Sequence, residues 1–372
     1  MTAACNGAPI TIGTVGLQSG VLGAAYKPAV KAISAWAASV NALGGLNCHK
    51  VKYLVADDGG DPARHQALVR QFVEQEKVIA FVYFDAPLEG EASRAYLTEK
   101  QIPVIGQEGG QEYFYDSPMH FPTYAVNSAL MRLTVTAGAR TTIPQGKKKL
   151  AVITCQEVAF CTLAKTVFAE EGAKQGYEVV YNASGSLTQP NFTAQCLAAR
   201  NAGAQVIVGA FDAASFHRMA SDCAKLTFKP TFVVSGPQAD DAFRTDPNLE
   251  GAVVGMNGLP WYITASPEIQ AYRAVISKFA PGEVPGAAGI NGWVNAMAFQ
   301  KAAQGIGPGD TPSAAGVLAG LRSFKNETLG GLTYALDFSR GAPWPRIPCG
   351  WAVVAQNGAF GGSAKMICAD KA

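Results

Sequence analysis

The sequence has no long apolar run and no marked excess of charge of one sign. No apolar stretch approaches the ~18 residues that are needed to cross a bilayer. Thirty basic residues stand against 28 acidic ones in the 372-residue chain, which gives a formal charge of +2. The longest basic run is Lys147 to Lys149. Nucleic acid is therefore not an expected partner, because its binding surfaces need a concentrated positive field.

Recognisable catalytic motifs are missing as well. The sequence has no G-x-S-x-G or H-E-x-x-H motif, and no Gly-Lys pair is followed by Ser or Thr. The histidines share no metal-ligand spacing; they are His49, His65, His120 and His217. The acidic group at Asp57, Asp58 and Asp61 suggests a cation site, but a polar turn before a helix at Pro62 explains it better. We therefore expect no enzyme, no cofactor and no metal site.

Cysteine is present eight times, and no two cysteines form a C-x-x-C pair. The cysteines are Cys5, Cys48, Cys155, Cys161, Cys196, Cys223, Cys349 and Cys368. This pattern favours disulfides formed outside the cytoplasm, and buried free thiols are the alternative. Sequential neighbours are the favoured pairs, because Cys5 and Cys48 each precede one of the first two predicted strands, which should lie side by side. A lipid-bearing Cys5 is a third option, and it would leave Cys48 without its partner.

The first half of the chain alternates short β-branched runs with segments of helical period. Strands are predicted at residues 10–17, 51–56, 78–83 and 103–105. Between the first two, Val30, Ile33, Trp36 and Val40 fall on one helical stripe, which ends at Gly44. This alternation is typical of a doubly wound parallel sheet.

The same pattern restarts near residue 149. Strands are predicted at 149–154, 178–181, 205–209 and 231–234, again with helical segments between them. From about Gly251 the chain is rich in Gly and Pro, with helices predicted at 267–279, 290–305 and 313–323 and a strand pair at 336–338 and 350–355. Two sheets in succession predict two α/β lobes, and the later helices are expected to cover the first of them.

Several short segments resemble the branched-chain amino acid binding proteins of ABC importers. In the N-terminal third they are residues 10–13 (ITIG), 18–20 (QSG), 41–47 (NALGGLN) and 57–62 (DDGGDP). The similarity continues at 102–105 (IPVI) and, more loosely, at 150–179, 292–293 and 338–341. The order and spacing of these segments over nearly the whole chain carry the resemblance.

The resemblance implies a periplasmic-binding protein type I fold, with two Rossmann-like doubly wound lobes joined by three hinge crossings. We place the crossings near Thr123, Gly251 and Gly331. Residues 1–122 and 252–331 then form the N-terminal lobe, and residues 123–251 and 332–372 form the C-terminal lobe. A small-molecule ligand would bind in a cleft beyond the carboxyl ends of the strands and stabilise the closed form. Helix N-termini at that cleft would offer N–H groups to a carboxylate.

The ligand-contacting loops of the family map onto specific loops of this chain. In the N-terminal lobe the expected ligand-binding residues are Gln18, Ser19, Tyr26, Tyr83, Phe84, Asp85, Pro87, Gly109, Gly110 and Gln111. In the C-terminal lobe they are Phe160, Phe211, Asp212, Gln238 and Trp261.

Some of these residues differ from those of an amino-acid site. Ala86-Pro87 and Gly109-Gly110 stand where hydroxyl residues would hold an α-carboxylate. Gln238 stands where an acidic residue would receive the α-ammonium, although Asp212 is able to replace it. Several of the other positions are aromatic, which suits a flat or apolar ligand. We therefore expect an aromatic or otherwise apolar carboxylate in preference to a branched-chain amino acid.

The expected function is capture of a small organic solute for the permease of an ABC importer. We expect a monomer outside the cytoplasm, in the periplasm or at the cell surface, after removal of an export signal. Its contact with the membrane would be peripheral, through the permease or a lipid anchor. Two alternatives share the α/β frame, namely the ligand-sensing domain of a receptor and a hydrolase-like enzyme. A downstream signalling segment would identify the first, and turnover of a solute would identify the second.

Overall fold

The protein folds into two compact units, each assembled from two stretches of chain. A computed structural model describes residues 5, 7–87, 89–107, 110–157, 159–362 and 365–369. Unit 1 consists of Met1–Val126 and Ile263–Arg346, and unit 2 consists of Asn127–Tyr262 and Ile347–Ala372. The architecture is the two-lobe α/β fold that the sequence predicts.

Strands and helices alternate along most of the chain. The strands are β1 (Gly7–Gly16), β2 (His49–Asp57), β3 (Ala80–Phe84), β4 (Val104–Gln107), β5 (His120–Phe121), β6 (Lys149–Thr154), β7 (Glu178–Ser184), β8 (Val206–Ala210), β9 (Thr231–Ser235), β10 (Val253–Met256), β11 (Cys349–Gln356), β12 (Ala359–Gly362) and β13 (Ile367–Cys368). The helices are α1 (Gly20–Ala42), α2 (Pro62–Glu74), α3 (Arg94–Lys100), α4 (Glu112–Asp116), α5 (Asn127–Thr142), α6 (Ala159–Lys174), α7 (Thr193–Asn201), α8 (Ala213–Lys225), α9 (Pro267–Phe279), α10 (Ala287–Ala302) and α11 (Ala314–Arg322). None of the described helices has both the length and the apolar character that a membrane span requires.

Unit 1 is built on a parallel sheet with the strand order β2-β1-β3-β4-β5. The predicted stripe of α1 packs against α10, which returns from far along the chain. The Trp36 ring meets Phe299 edge-on at 5.9 Å, and its indole N–H donates to Gln300 Oε1 at 2.7 Å. The later helices therefore cover the first sheet, as the sequence predicts.

Unit 2 is built on a sheet with the order β12-β11-β10-β9-β8-β6-β7, in which β13 pairs with β11. Strands β6 to β10 run parallel, and β11 is antiparallel to β10. The sequence did not predict β10, a four-residue strand within the Gly- and Pro-rich stretch.

The chain passes between the units after Val126, Tyr262 and Arg346. The sequence places these crossings near Thr123, Gly251 and Gly331. The second crossing comes after Gly251 because β10 first pairs with β9, through Val253 opposite Val233.

The predicted pairing of residues 336–338 with 350–355 is wrong. Leu336 instead forms an isolated bridge with Glu327, and the Phe338 ring packs at 5.2 Å from Phe121 in unit 1. Residues 349–356 form β11, which pairs with β10, β12 and β13 in unit 2. The segment before the third crossing thus completes the core of unit 1, whose first strands lie more than 200 residues away in the sequence.

The eight cysteines form four disulfides between sequential neighbours, as predicted. They are Cys5–Cys48, Cys155–Cys161, Cys196–Cys223 and Cys349–Cys368. No free cysteine is left among the described residues, so the alternative of buried free thiols is wrong. Each bond lies within one unit.

Candidate functional site

The carboxyl ends of the unit 1 strands meet at one edge of their sheet, because all of these strands are parallel. Three of the loops at this edge carry predicted ligand-binding residues. The backbone N–H of Leu17 donates to the Asp85 carbonyl at 3.0 Å, and the Gln18 side-chain amide donates to the Asp85 carboxylate. The loops after β1 and β3 are therefore held together. Ligands of open α/β sheets bind at this edge.

Asp57 orders the loop after β1, a role that the sequence did not predict. Its carboxylate accepts from the backbone N–H groups of Gln18 and Gly59, both at 3.0 Å. Burial would raise the pKa of Asp57, but these bonds and one from the Ser19 hydroxyl hold the pKa below its ordinary value. An ionised carboxylate thus fixes Gln18 and Ser19, and the Ser19 hydroxyl makes no cap bond to the N-terminus of α1.

Strands β3 and β4 each contain one residue with a left-handed backbone conformation just before the loop that follows the strand. Tyr83 has φ +67° and Gly106 has φ +73°, between the paired residues Val82–Ile105 and Phe84–Gln107. Positive φ is a genuine outlier for a bulky residue such as tyrosine, and such strain is concentrated at functional sites. The Phe84 ring lies 5.1 Å from the Phe81 ring. The side chains of Tyr83 and Phe84 are both fully buried.

Gln107 is a candidate that the sequence reasoning missed. It ends β4 at the same edge, is 2 % exposed, and neither atom of its side-chain amide has a hydrogen-bond partner among the described residues. Buried amides are normally paired, since leaving one unpaired costs about 1 to 3 kcal/mol. The only available signal was a glutamine at the end of an apolar strand. Of the predicted ligand-binding residues after β4, Gly110 and Gln111 are described, whereas Gly109 lies outside the described residues.

A buried Asp-His-Ser group lies behind this edge. Asp58 Oδ2 is 2.7 Å from His65 Nδ1, and His65 Nε2 is 3.1 Å from Ser93 Oγ. The residue types match a hydrolase triad. However, all three side chains are fully buried, and the Ser93 hydroxyl donates to the Gly90 carbonyl at 3.0 Å. The group therefore connects the loops after β2 and β3 and offers no accessible nucleophile.

In unit 2 the candidate residues also gather at the carboxyl edge of parallel strands. Phe160 is half-buried in the first turn of α6, and the Cys155–Cys161 bond ties that turn to the end of β6. Glu157 lies close to both sulfurs, but joined cysteines supply no thiolate for a metal. Phe211 follows β8 and is 2 % exposed. Its ring packs 5.1 Å from Phe192, in the core of unit 2.

Asp212 and Gln238 are both used as caps. Asp212 Oδ1 accepts from the Ser215 N–H and Oδ2 from the Ser215 hydroxyl, both at 2.8 Å, so Asp212 starts α8. Gln238 Oε1 accepts from the Ser235 hydroxyl at 2.7 Å at the end of β9. Trp261 is 4 % exposed and packs 5.5 Å from Phe360 of β12. Among the six predicted aromatic contacts, Tyr26 and Phe160 are half-buried and the others are buried.

His217 lies on α8 between two carboxylates of the loop that follows Gln238. Its Nε2 is 3.1 Å from Asp240 and its Nδ1 is 2.6 Å from Asp246. The hydrogen bond to Asp240, opposed by burial and reinforced by Asp246, raises the pKa of His217 from 6.5 to about 9.

This shift predicts a pH dependence of stability. Because the folded-state pKa is the higher one, the stabilisation is complete below about pH 6.5 and is lost as the pH rises through about 9. We expect the melting temperature to fall over this window, and to fall less in His217→Asn. Thermal unfolding as a function of pH measures both. An imidazole titration by NMR with a midpoint near pH 6.5 would contradict the prediction.

Comparison with known proteins agrees with this geometry. A sequence model of the family described as periplasmic binding protein matches residues 9–341. The chain belongs to this family. No curated protein matches its sequence.

Solved structures of periplasmic binding proteins share its fold at low sequence identity. A substrate-binding protein of an ABC transporter from Sphaerobacter thermophilus has a TM-score of 0.77 at 16% identity, covering 97% of this chain and 98% of that one. A solute-binding protein from R. palustris, in complex with benzoate, has a TM-score of 0.74 at 16% identity, with 98% of both chains covered. A fatty acid transporter's substrate-binding protein from Thermomonospora curvata has a TM-score of 0.75 at 17% identity, covering 97% of this chain and 91% of that one. The type I periplasmic binding fold is therefore shown.

Proposed function

We propose that this periplasmic binding protein captures a small organic solute outside the cytoplasm and delivers it, unchanged, to the permease of an ABC importer. The observation that carries the proposal is that candidate residues follow the carboxyl ends of the parallel strands in each unit. In unit 1 the Gln18 side chain donates a hydrogen bond to Asp85 there. The solute would contact both edges, and the three crossings would act as hinges during closure. The Asp58–His65–Ser93 group takes no part in catalysis under this proposal.

The solute we favour is an aromatic or apolar carboxylate. Both Asp212 oxygens already accept from Ser215, Oδ1 from its N–H and Oδ2 from its hydroxyl, which disfavours a role for Asp212 as the receptor of an α-ammonium group. An ammonium group enclosed without a partner would be costly. The benzoate-bound R. palustris relative and the fatty-acid relative have ligands of the favoured class. Tyr26 and Phe160 would contact the apolar part of the solute.

The carboxylate would be received in unit 1. The Ser19 side chain makes no cap bond to the N-terminus of α1, and N–H groups at a helix N-terminus are suitable donors for an anion. The buried Gln107 amide adds a donor at the end of β4. A solute carboxylate would use N–H donors at this edge and would need no basic side chain.

Thermal unfolding with a panel of solutes tests the proposal. We expect benzoate or octanoate to raise the melting temperature by several degrees, because a ligand at 100 times its Kd stabilises by about 2.7 kcal/mol. Leucine and benzylamine should have no effect. Gln107→Leu should remove the benzoate shift, and Gln270→Leu, on the exposed part of α9, should retain it.

Two results would reject parts of the proposal. Stabilisation by leucine alone would reject the ligand class. Turnover of any stabilising solute, followed by mass spectrometry, would reject capture without catalysis. Mass spectrometry of compounds released by denaturing the purified protein would identify a co-purified solute directly.

A further inference from the structure

The basic run Lys147 to Lys149 is the longest in the sequence, and the candidate site does not use it. The run leads into β6 at the amino edge of the unit 2 sheet, where the parallel strands begin and the helices between them end. Other basic residues lie along the same edge, at the ends of α6, α7 and α8 and before β9. We call the whole set the basic edge: Lys147, Lys148, Lys149, Lys174, Arg200, Lys225 and Lys229.

Hydrogen bonds connect the turns that carry the basic edge. Gln205, just before β8, accepts through Oε1 from two backbone N–H groups of the basic run, at 2.9 and 3.2 Å. Lys147 Nζ donates to Thr231 Oγ1, at the start of β9, at 2.8 Å. Arg200 donates to the Leu226 carbonyl, just after α8, at 2.8 Å. Because neighbouring strands are about 4.8 Å apart, the starts of β6, β8 and β9 lie within about 10 Å of one another, and the fold gathers cations that are far apart in the sequence.

The basic edge carries more positive charge than the chain as a whole. The acidic residues along the same edge are fewer, and they are Glu170, Glu178, Asp222 and Glu250. Seven basic residues against four acidic ones leave three positive units, whereas the formal charge of the whole chain is +2. Among the described residues, only Lys225 of this set forms an ion pair, with Asp222 at 2.8 Å. The remaining cations are therefore available to a partner.

Helix dipoles account for only part of this set. Lys174, Arg200 and Lys225 lie in the last turns of their helices, where cations are favoured by the negative end of the dipole. The basic run and Lys229 precede or begin strands, so this explanation does not cover them. All members except the half-buried Lys147 are exposed. Their concentration at one edge therefore indicates an interaction surface.

We propose that the basic edge docks the protein on a membrane surface that contains anionic lipids. A periplasmic binding protein works outside the cytoplasm, where a bilayer surface is close by and nucleic acid is not an expected partner. An anionic lipid surface attracts clustered lysines and arginines within a Debye length, which is about 8 Å at 0.15 M salt. The inference does not depend on which solute the protein carries.

Docking by this edge would leave the candidate solute residues of unit 2 accessible. Phe160 and Asp212 follow the carboxyl ends of β6 and β8, whereas the basic edge lies at their amino ends. The five residues of β8 span about 17 Å. The protein would thus be held close to the membrane, with these two residues on the side of unit 2 that faces away from the lipid.

Co-sedimentation with lipid vesicles tests this inference. At low salt we expect the protein to bind vesicles that contain phosphatidylglycerol but not vesicles of phosphatidylcholine alone, and the binding should weaken as salt is added. The triple variant Lys148→Gln, Lys149→Gln, Lys229→Gln should weaken binding to the phosphatidylglycerol vesicles by about tenfold or more, because each lysine near the surface adds to the attraction. Its melting temperature should not change, since the three side chains are exposed.

The matched control is the triple variant Lys50→Gln, Lys278→Gln, Lys325→Gln, which removes three exposed lysines of unit 1 and lowers the net charge equally. It should bind the vesicles as the unchanged protein does. An equal loss in both triple variants would show that net charge alone drives binding and would overturn the inference. Absence of binding at low salt, or equal binding to phosphatidylcholine vesicles, would overturn it too. Tighter binding to polyglutamate than to vesicles of the same negative charge would assign an acidic polymer as the partner and reject the membrane.

Discussion

Replacing Gly16 with alanine is expected to weaken benzoate binding by about tenfold or more, which corresponds to about 1.4 kcal/mol, and to lower the stability of unit 1. Gly16 ends β1 against the loop that follows β3. A Cβ at this position would lie 2.5 Å from the Asp85 carbonyl oxygen and 2.6 Å from its carbonyl carbon. Because backbone atoms are in the way, the loop must move, and such overpacking costs about 1 to 3 kcal/mol. Gln18 and Asp85 would lose their common geometry.

Gly309→Ala is the control for this substitution. No heavy atom lies within 4 Å of the added Cβ, so affinity and stability should not change. Thermal unfolding and calorimetric titration with benzoate measure the two effects. If Gly16→Ala and Gly309→Ala have the same benzoate affinity and the same melting temperature, the loop after β3 is not part of the binding site, and the proposed site is wrong.

Removal of the Cys196–Cys223 bond, in a Cys196→Ala, Cys223→Ala double variant, should destabilise unit 2 by about 3 to 4 kcal/mol. The two residues are 27 apart in the sequence, and both are fully buried between α7 and α8. The bond restricts the unfolded chain, and the restriction increases with the length of the closed loop. Hydrogen exchange should show lost protection in α7 and α8.

The Cys155–Cys161 bond provides the comparison, because its cysteines are only six residues apart. Its removal should cost about 2 kcal/mol by the same loop-closure argument. Urea unfolding of both double variants, each followed by a unit 2 probe, gives the ranking. A larger loss for the shorter loop would contradict the entropic explanation and would indicate that folded-state packing at α6 dominates.

The sequence predicted the parts of the fold that depend on local pattern. Strands β1, β2 and β6 to β9 are β-branched runs bounded by helical segments, and each was found close to its predicted position. β10 was missed because Val253 to Met256 is short and lies among glycines and prolines. The pairing of residues 336–338 was wrong because a short Leu-Asp-Phe segment does not specify its partner; Leu336 instead forms a bridge with Glu327.

The candidate site was predictable only at the level of loops. The residues after β1, β3, β6 and β8 could be placed because parallel strands share one carboxyl edge. Tyr83 is fully buried and has a left-handed backbone conformation, and neither property could be predicted from a run of aromatic residues. The burial of Gln107 and the Asp58–His65–Ser93 contacts depend on packing between separate segments. These contacts decide which side chains face a ligand.

The packing of α1 on α10 has a consequence for synthesis. Trp36 and Gln300, which hydrogen-bond across this interface, are 264 residues apart. During synthesis the N-terminus leaves the ribosome first, so the apolar face of α1 stays uncovered until α10 has been made. Residues 127–262 of unit 2 are made before α10. Nascent chains truncated before α10 should associate with holdase chaperones through this face.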